Sequence, residues 1–96
     1  MTYYSKEKYK LLGFRKSDKK DKMYYAVLEN KDNYNTVRVH FGHNKYQNFR
    51  DITGLNAYPF LIHGDLERRK RYRARHKGYL KDGYYSPGFF SYYYLW

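Results

Sequence analysis

The chain has no cysteine, only two prolines and only 9 acidic residues among 96. Without cysteine there are no disulfide staples and no thiolate metal sites, and a reducing compartment fits. No apolar run approaches the ~18 residues of a membrane span. The opening MTYYSKEKYK is polar and lacks the apolar core of a secretion signal, so no leader is expected. Aliphatic residues are also few. Aromatic residues stand in for them: 15 Tyr, 6 Phe and 1 Trp make up 23% of the chain. Tyrosine must therefore do part of the core packing, and each buried hydroxyl needs a hydrogen-bond partner. A single small domain of this length buries only roughly 60–65% of its unfolded surface, so its core is thin.

The acidic shortage leaves 20 basic residues against 9 acidic ones, a formal net charge of +11. Residues 1–48 hold 11 basic and 5 acidic residues, and residues 49–96 hold 9 and 4. Seven of the nine basic residues in the second half fall in RRKRYRARHK (68–77): Arg68, Arg69, Lys70, Arg71, Arg73, Arg75 and Lys77. The excess is diffuse early and focused late. Such a field favours phosphate, anionic lipid or an acidic protein surface. Self-repulsion of this density is not expected to serve the chain's own fold.

The pattern along the chain predicts an α+β domain with no internal repeat. After a polar lead-in (1–8), YKLLGF (9–14), MYYAVLE (23–29) and TVRVHF (36–41) read as strands separated by turn-rich stretches. TVRVHF alternates, with Val37, Val39 and Phe41 on one face and Arg38 and His40 on the other. Short connections favour an antiparallel three-stranded meander over residues 9–41 with one face packed. In the loop region 42–64, KYQNFRDI (45–52) is expected to form one or two helical turns stopped by Gly54, and LNAYPFLIHG to form a loop around Pro59. Residues 65–77 are the best helix candidate, capped by Asp65, with Glu67 in the first turn and Gly78 at the C′ position. Leu66, Tyr72 and Ala74 share no face of that helix, so a partner must cover it or it is unstable alone. The segment after it, residues 78–96, ends in YYSPGFFSYYYLW (84–96), which carries eight aromatics. Pro87 and Gly88 are expected to break it into two short pieces packed across the sheet or on another molecule.

VHFG (39–42), a Tyr-bearing segment, HGDLERRKRYRARHKG (63–78) and the ending YLW together resemble a family of small basic proteins. That family is encoded by large double-stranded DNA viruses, giant and algal viruses among them, and by some phages. The resemblance covers roughly residues 9–96. Its most specific part is D-x-x-R-[RK]-x-R-Y-x-x-R-H, here Asp65 to His76. It implies a viral origin and makes a virion component plausible, and it brings no catalytic residues with it.

The basic helix is the strongest functional signal. Five to seven phosphate contacts would give a salt slope of about −4.5 to −6 on duplex DNA, and guanidinium groups bind phosphate in bidentate fashion. Tyr72, inside the run, either stacks on a base or anchors the helix, and the shortage of other apolar residues there favours the anchor. His40 and His43 form H-x-x-H without further ligands at metal-site spacing, and the loose His-Asn-His lettering with His63 and His76 lacks the accompanying nuclease pattern. Asp65 and Glu67 read as helix-start residues beside seven cations, not as an acid–base pair. The expected function is a non-enzymatic viral structural or packaging protein, without cofactor, catalytic residue or metal. Arg68, Arg69, Lys70, Arg71, Arg73, Arg75 and Lys77 would meet nucleic-acid backbone, DNA in first place, and Arg38 would extend that surface. The alternative is a minor capsid or cement protein in a larger assembly, whose helix meets acidic capsid proteins. There Tyr84, Tyr85, Phe89, Phe90, Tyr92, Tyr93, Tyr94 and Trp96 would form the partner interface. Either reading places the protein in the virion and in the cytoplasm or nucleus of the infected host cell.

Overall fold

A computed structural model describes residues 4–77 and 84–96. The fold is α+β. The strands β2 (Tyr9–Lys16), β3 (Lys22–Asn30) and β4 (Thr36–His43) form an antiparallel sheet in the order β2-β3-β4. The strands are longer than their apolar stretches because the ladder continues into the polar residues that flank each turn. The lead-in is not free chain: β1 (Tyr4–Ser5) pairs antiparallel with β5 (Tyr84–Tyr85). Helix α1 spans Leu66–His76, and α2 (Pro87–Phe90) runs straight into a π-helical turn (Ser91–Leu95).

Pairing places Tyr24 opposite Phe41, Ala26 opposite Val39 and Leu28 opposite Val37. Leu11 faces Leu28 and Phe14 faces Ala26, with a bulge between Leu11 and Gly13 that leaves Leu12 outside the ladder. These residues share one face, and α2 lies on it. Phe90, Leu95, Tyr24, Ala26, Leu28 and Phe41 are fully buried there. Phe90 is ringed by Phe14, Phe41 and Tyr85, with centroids 5.8, 5.4 and 5.5 Å away. Gly42 lets the helix come this close: a Cβ on its φ +75° backbone would lie 3.0 Å from both Leu95 Cδ1 and Met23 Sδ. The buried Tyr24 hydroxyl donates to Asp51 Oδ2 and accepts from the Ala57 amide at 2.9 Å. Burial, reinforced by Asp51, holds that phenol protonated far above the ordinary tyrosine range.

One local expectation needs correcting. KYQNFRDI is not helical. The Asn48 amide donates to the Leu61 carbonyl at 2.8 Å, and those of Arg50 and Ile52 donate to Leu95 and Tyr94, each at 3.0 Å. A helix would need the same donors for its own ladder, and tertiary partners claim them first. The extended stretch then bridges Ile62 in parallel, just after a short 3₁₀ turn at Pro59–Leu61. The terminal stretch does divide into two short pieces, β5 and the helix that Pro87 opens: Ser86 caps it by accepting from the Phe89 amide, and Pro87 occupies the first turn, where its missing N–H costs nothing. The expected terminal glycine of α1, Gly78, lies outside the described residues.

Phe90→Ala should cost about 3–5 kcal/mol through the cavity it leaves. That is a large share of the ~5–15 kcal/mol available to a small domain, so chemical denaturation should find the variant marginally folded. A loss under ~1 kcal/mol would contradict a core centred on α2.

Candidate nucleic-acid interface

Helix α1 starts where the sequence places it. Asp65 Oδ1 accepts from the Glu67 and Arg68 amides at 3.0 and 3.2 Å. Those bonds, the one from Arg68 first, hold the Asp65 carboxyl below its usual range. Glu67 sits in the first turn and Arg73, Arg75 and His76 in the last, each matched to the helix dipole. No residue of the helix is buried, and Leu66 is 68% exposed.

At about 100° per residue, Arg69, Tyr72, Arg73 and His76 fall on one side and Lys70, Arg71, Ala74 and Arg75 on the other. The first side faces the protein. Tyr72 stacks flat on Trp96, centroids 4.1 Å apart and planes 4° from parallel, and so anchors the helix to the chain's own terminal aromatic segment. Arg69 Nε donates to the Trp96 main-chain oxygen at 2.7 Å, and its guanidinium lies 4.8 Å from the centre of the Phe49 ring. Arg73 reaches the Tyr92 carbonyl at 3.5 Å and covers the Tyr92 ring at 4.3 Å. Arg50 donates through Nη2 to the Tyr93 carbonyl at 3.2 Å.

With the amides of Arg50 and Ile52, these side chains satisfy five consecutive main-chain oxygens, Tyr92 to Trp96, at the negative end of the terminal helix. Part of the charge therefore does serve the fold, contrary to the expectation from its density. Bringing three guanidiniums together has an electrostatic cost: burial first, then the fields of Arg69 and Arg73, push the Arg50 pKa down from its usual value. Arg50 and Phe49 carry no sequence signal of this role, because their partners arrive far along the chain, Arg69 for Phe49 and Tyr93 and Leu95 for Arg50.

The other side is open. Lys70, Arg71, Arg75 and Lys77 are exposed, and Arg68 is half-buried with Nη1 on Gln47 Oε1 at 2.8 Å. The two ion pairs among the described residues, Arg38–Asp18 and Lys45–Asp21, are both elsewhere. Arg38 stands apart from the helix. It lies on the sheet face that α2 leaves uncovered, 4.7 Å over the Tyr25 ring, whereas α1 packs against Tyr92 and Trp96 at the end of the chain. Of the aromatic candidates, Phe90, Tyr92 and Trp96 are buried within the chain. Tyr85, Phe89 and Tyr94 are half-buried against it, and Tyr84 and Tyr93 are exposed.

The histidines are dispersed. His40 Nδ1 is 2.7 Å from Ser17 Oγ, His43 stacks on Tyr46, and His63 Nδ1 accepts from the Asp65 amide at 2.9 Å. Among the described residues no cluster of three or more His, Cys, Asp or Glu could hold a metal ion, and no helix is long and apolar enough to cross a membrane. Comparison with protein-family models, with curated proteins and with solved structures finds no match.

Burial is the leading cause that lowers the pKa of His40, His63 and His76 below 6.5, and neighbouring cations add to it. Below pH 6.5 the unfolded chain then binds more protons than the folded one, so stability must fall as pH falls. The lowered Asp65 pKa adds a further loss at more acidic pH, below its ordinary value of 3.8. Thermal unfolding should show a plateau near neutral pH and a steady decline from about pH 6.5 downward. A melting temperature that rises between pH 7 and 5 would contradict the placement of these rings.

Proposed function

We propose that the protein is a small, non-catalytic basic protein that binds nucleic-acid backbone without base specificity, as a structural or packaging component of a virus. The observation that carries this is the division of the basic run. Arg69 and Arg73 are engaged by the terminal helix, whereas Lys70, Arg71, Arg75 and Lys77 point outward with no carboxylate in ion-pair range among the described residues. A helix presenting cations unpaired among the described residues suits the repeated charge of a phosphate backbone and need read no base edge. The viral assignment, with action in the virion and in the cytoplasm or nucleus of the host cell, rests on the sequence resemblance of residues 9–96. The alternative cement role leans on the aromatic tail as a partner surface. Burial of Phe90, Tyr92 and Trp96 within the chain leaves that role fewer rings to offer.

The test is duplex DNA binding by fluorescence anisotropy across several salt concentrations. Four outward cations predict a slope of log affinity against log salt near −3.6, shallower than the whole run would give. Changing Lys70, Arg71, Arg75 and Lys77 together to Gln should remove nearly all of that slope while the melting temperature moves little. Changing Arg69 and Arg73 to Gln should chiefly destabilise the fold. No binding at low salt, or a slope that the outward variant leaves unchanged, would overturn the reading and direct attention to an acidic protein partner.

A further inference from the structure

An open cleft of about 370 Å³ lies on the outer side of the terminal helix, lined by Lys6, Ile52, Phe89, Tyr93 and Tyr94. That volume is at the small end of the roughly 300–1,000 Å³ typical of ligand sites. Three of its five walls are aromatic rings, and the neighbouring structure holds them in place. Tyr93 packs on Phe89 at 4.8 Å and on Tyr92 at 5.2 Å, yet remains 41% exposed. Tyr94 is fixed edge-on to Phe14 at 4.6 Å, and Ile52 is tied to the Tyr94 carbonyl through its amide. The single charge in the lining is positive: Lys6 Nζ stands 4.2 Å over the Phe89 ring and makes no ion pair with a carboxylate among the described residues. The cleft is also next to the arginine-closed end of the helix, since Arg50 donates to the Tyr93 carbonyl.

We propose that this cleft takes one unstacked nucleobase of a single strand, its face against Tyr93 and an adjoining phosphate on Lys6. This rests on the backbone-binding reading above and narrows it. An apolar ligand would gain nothing from Lys6, and a simple anion would gain nothing from the rings. A base joined to a phosphate uses both. Base–aromatic stacking is tolerant of sequence, in keeping with binding that ignores base identity. A duplex keeps its bases stacked on one another and cannot fill the cleft, so single strands should bind more tightly than duplex of the same length.

The experiment uses the full chain, with anisotropy measured on an oligothymidylate, on an abasic phosphodiester strand of equal length and on a duplex. The oligothymidylate should bind about 10-fold tighter than the abasic strand. Tyr93→Ala should erase that difference while leaving duplex affinity and its salt slope unchanged, and Tyr93→Phe, which keeps the ring, should preserve it. Lys6→Gln should lower the single-strand salt slope by about 0.7. Equal affinity for thymidylate and abasic strands, or a preference that survives Tyr93→Ala, overturns the cleft and leaves the helix reading intact. Should no strand bind at all, the helix reading fails, and thymidine monophosphate then probes the cleft directly. Shifted Tyr93 resonances in an NMR titration would support the cleft, and unshifted ones would overturn it.

Discussion

Closing the carbonyl end of the terminal helix is the constraint on which the arrangement of this protein depends. The last turn runs from Ser91 to Leu95 on the packed face of the sheet, and its oxygens have no further helical turn to bond. Main-chain oxygens shielded from water and left without donors are costly. The donors come from two separate stretches, the extended segment at Arg50–Ile52 and the inner face of α1. Each is thereby drawn to the carbonyl end of the terminal helical turn, Tyr92 to Trp96. Trp96, held through its main-chain oxygen by Arg69, then offers its ring to Tyr72. The basic helix, which has no buried residue of its own, is seated by that single stack and by two guanidiniums lying on aromatic rings.

The same constraint gives the charge two roles. Guanidinium is suited to the inner one because it is planar, donates in several directions and stacks on rings while remaining charged. The helix dipole rewards cations at that end, which offsets part of the repulsion among Arg50, Arg69 and Arg73. The helical period then assigns Lys70, Arg71 and Arg75 to the opposite side, where they are exposed and no carboxylate among the described residues pairs with them. An aromatic-rich composition makes this arrangement possible: Phe49, Tyr92 and Trp96 are at once core residues and landing surfaces for the arginines.

The sheet was legible because alternation in TVRVHF and the turn-rich intervals are local signals, and the shared face of Val37, Val39 and Phe41 follows from them. Asp65 as a helix cap was legible for the same reason. The fate of 45–52 was not, since its amides bond to Leu61, Tyr94 and Leu95, and nothing within the segment announces those partners. Pro87–Gly88 was legible as the point where the terminal stretch divides, and the helix that starts there is fixed by the Ser86 cap. The division of the basic run was half legible. Periodicity separates its faces, but which face turns inward depends on Tyr92 and Trp96, which lie 19 and 27 residues beyond their arginine partners. Lys6 and Ile52 gave no hint of sharing a cleft with Tyr93, because the terminal helix alone brings them together.

The central claim is that Arg69 and Arg73 act through guanidinium geometry and Arg71 and Arg75 through charge. Charge-preserving exchange separates the two most directly. Arg69→Lys with Arg73→Lys, compared with Arg71→Lys with Arg75→Lys, would be followed by thermal unfolding and by the salt dependence of DNA binding in the same buffers. The account predicts that the inner pair lowers the melting temperature by roughly 5–10 °C, while the outer pair changes neither the melting temperature nor the salt slope appreciably. Equal effects from the two pairs on both measurements would contradict it.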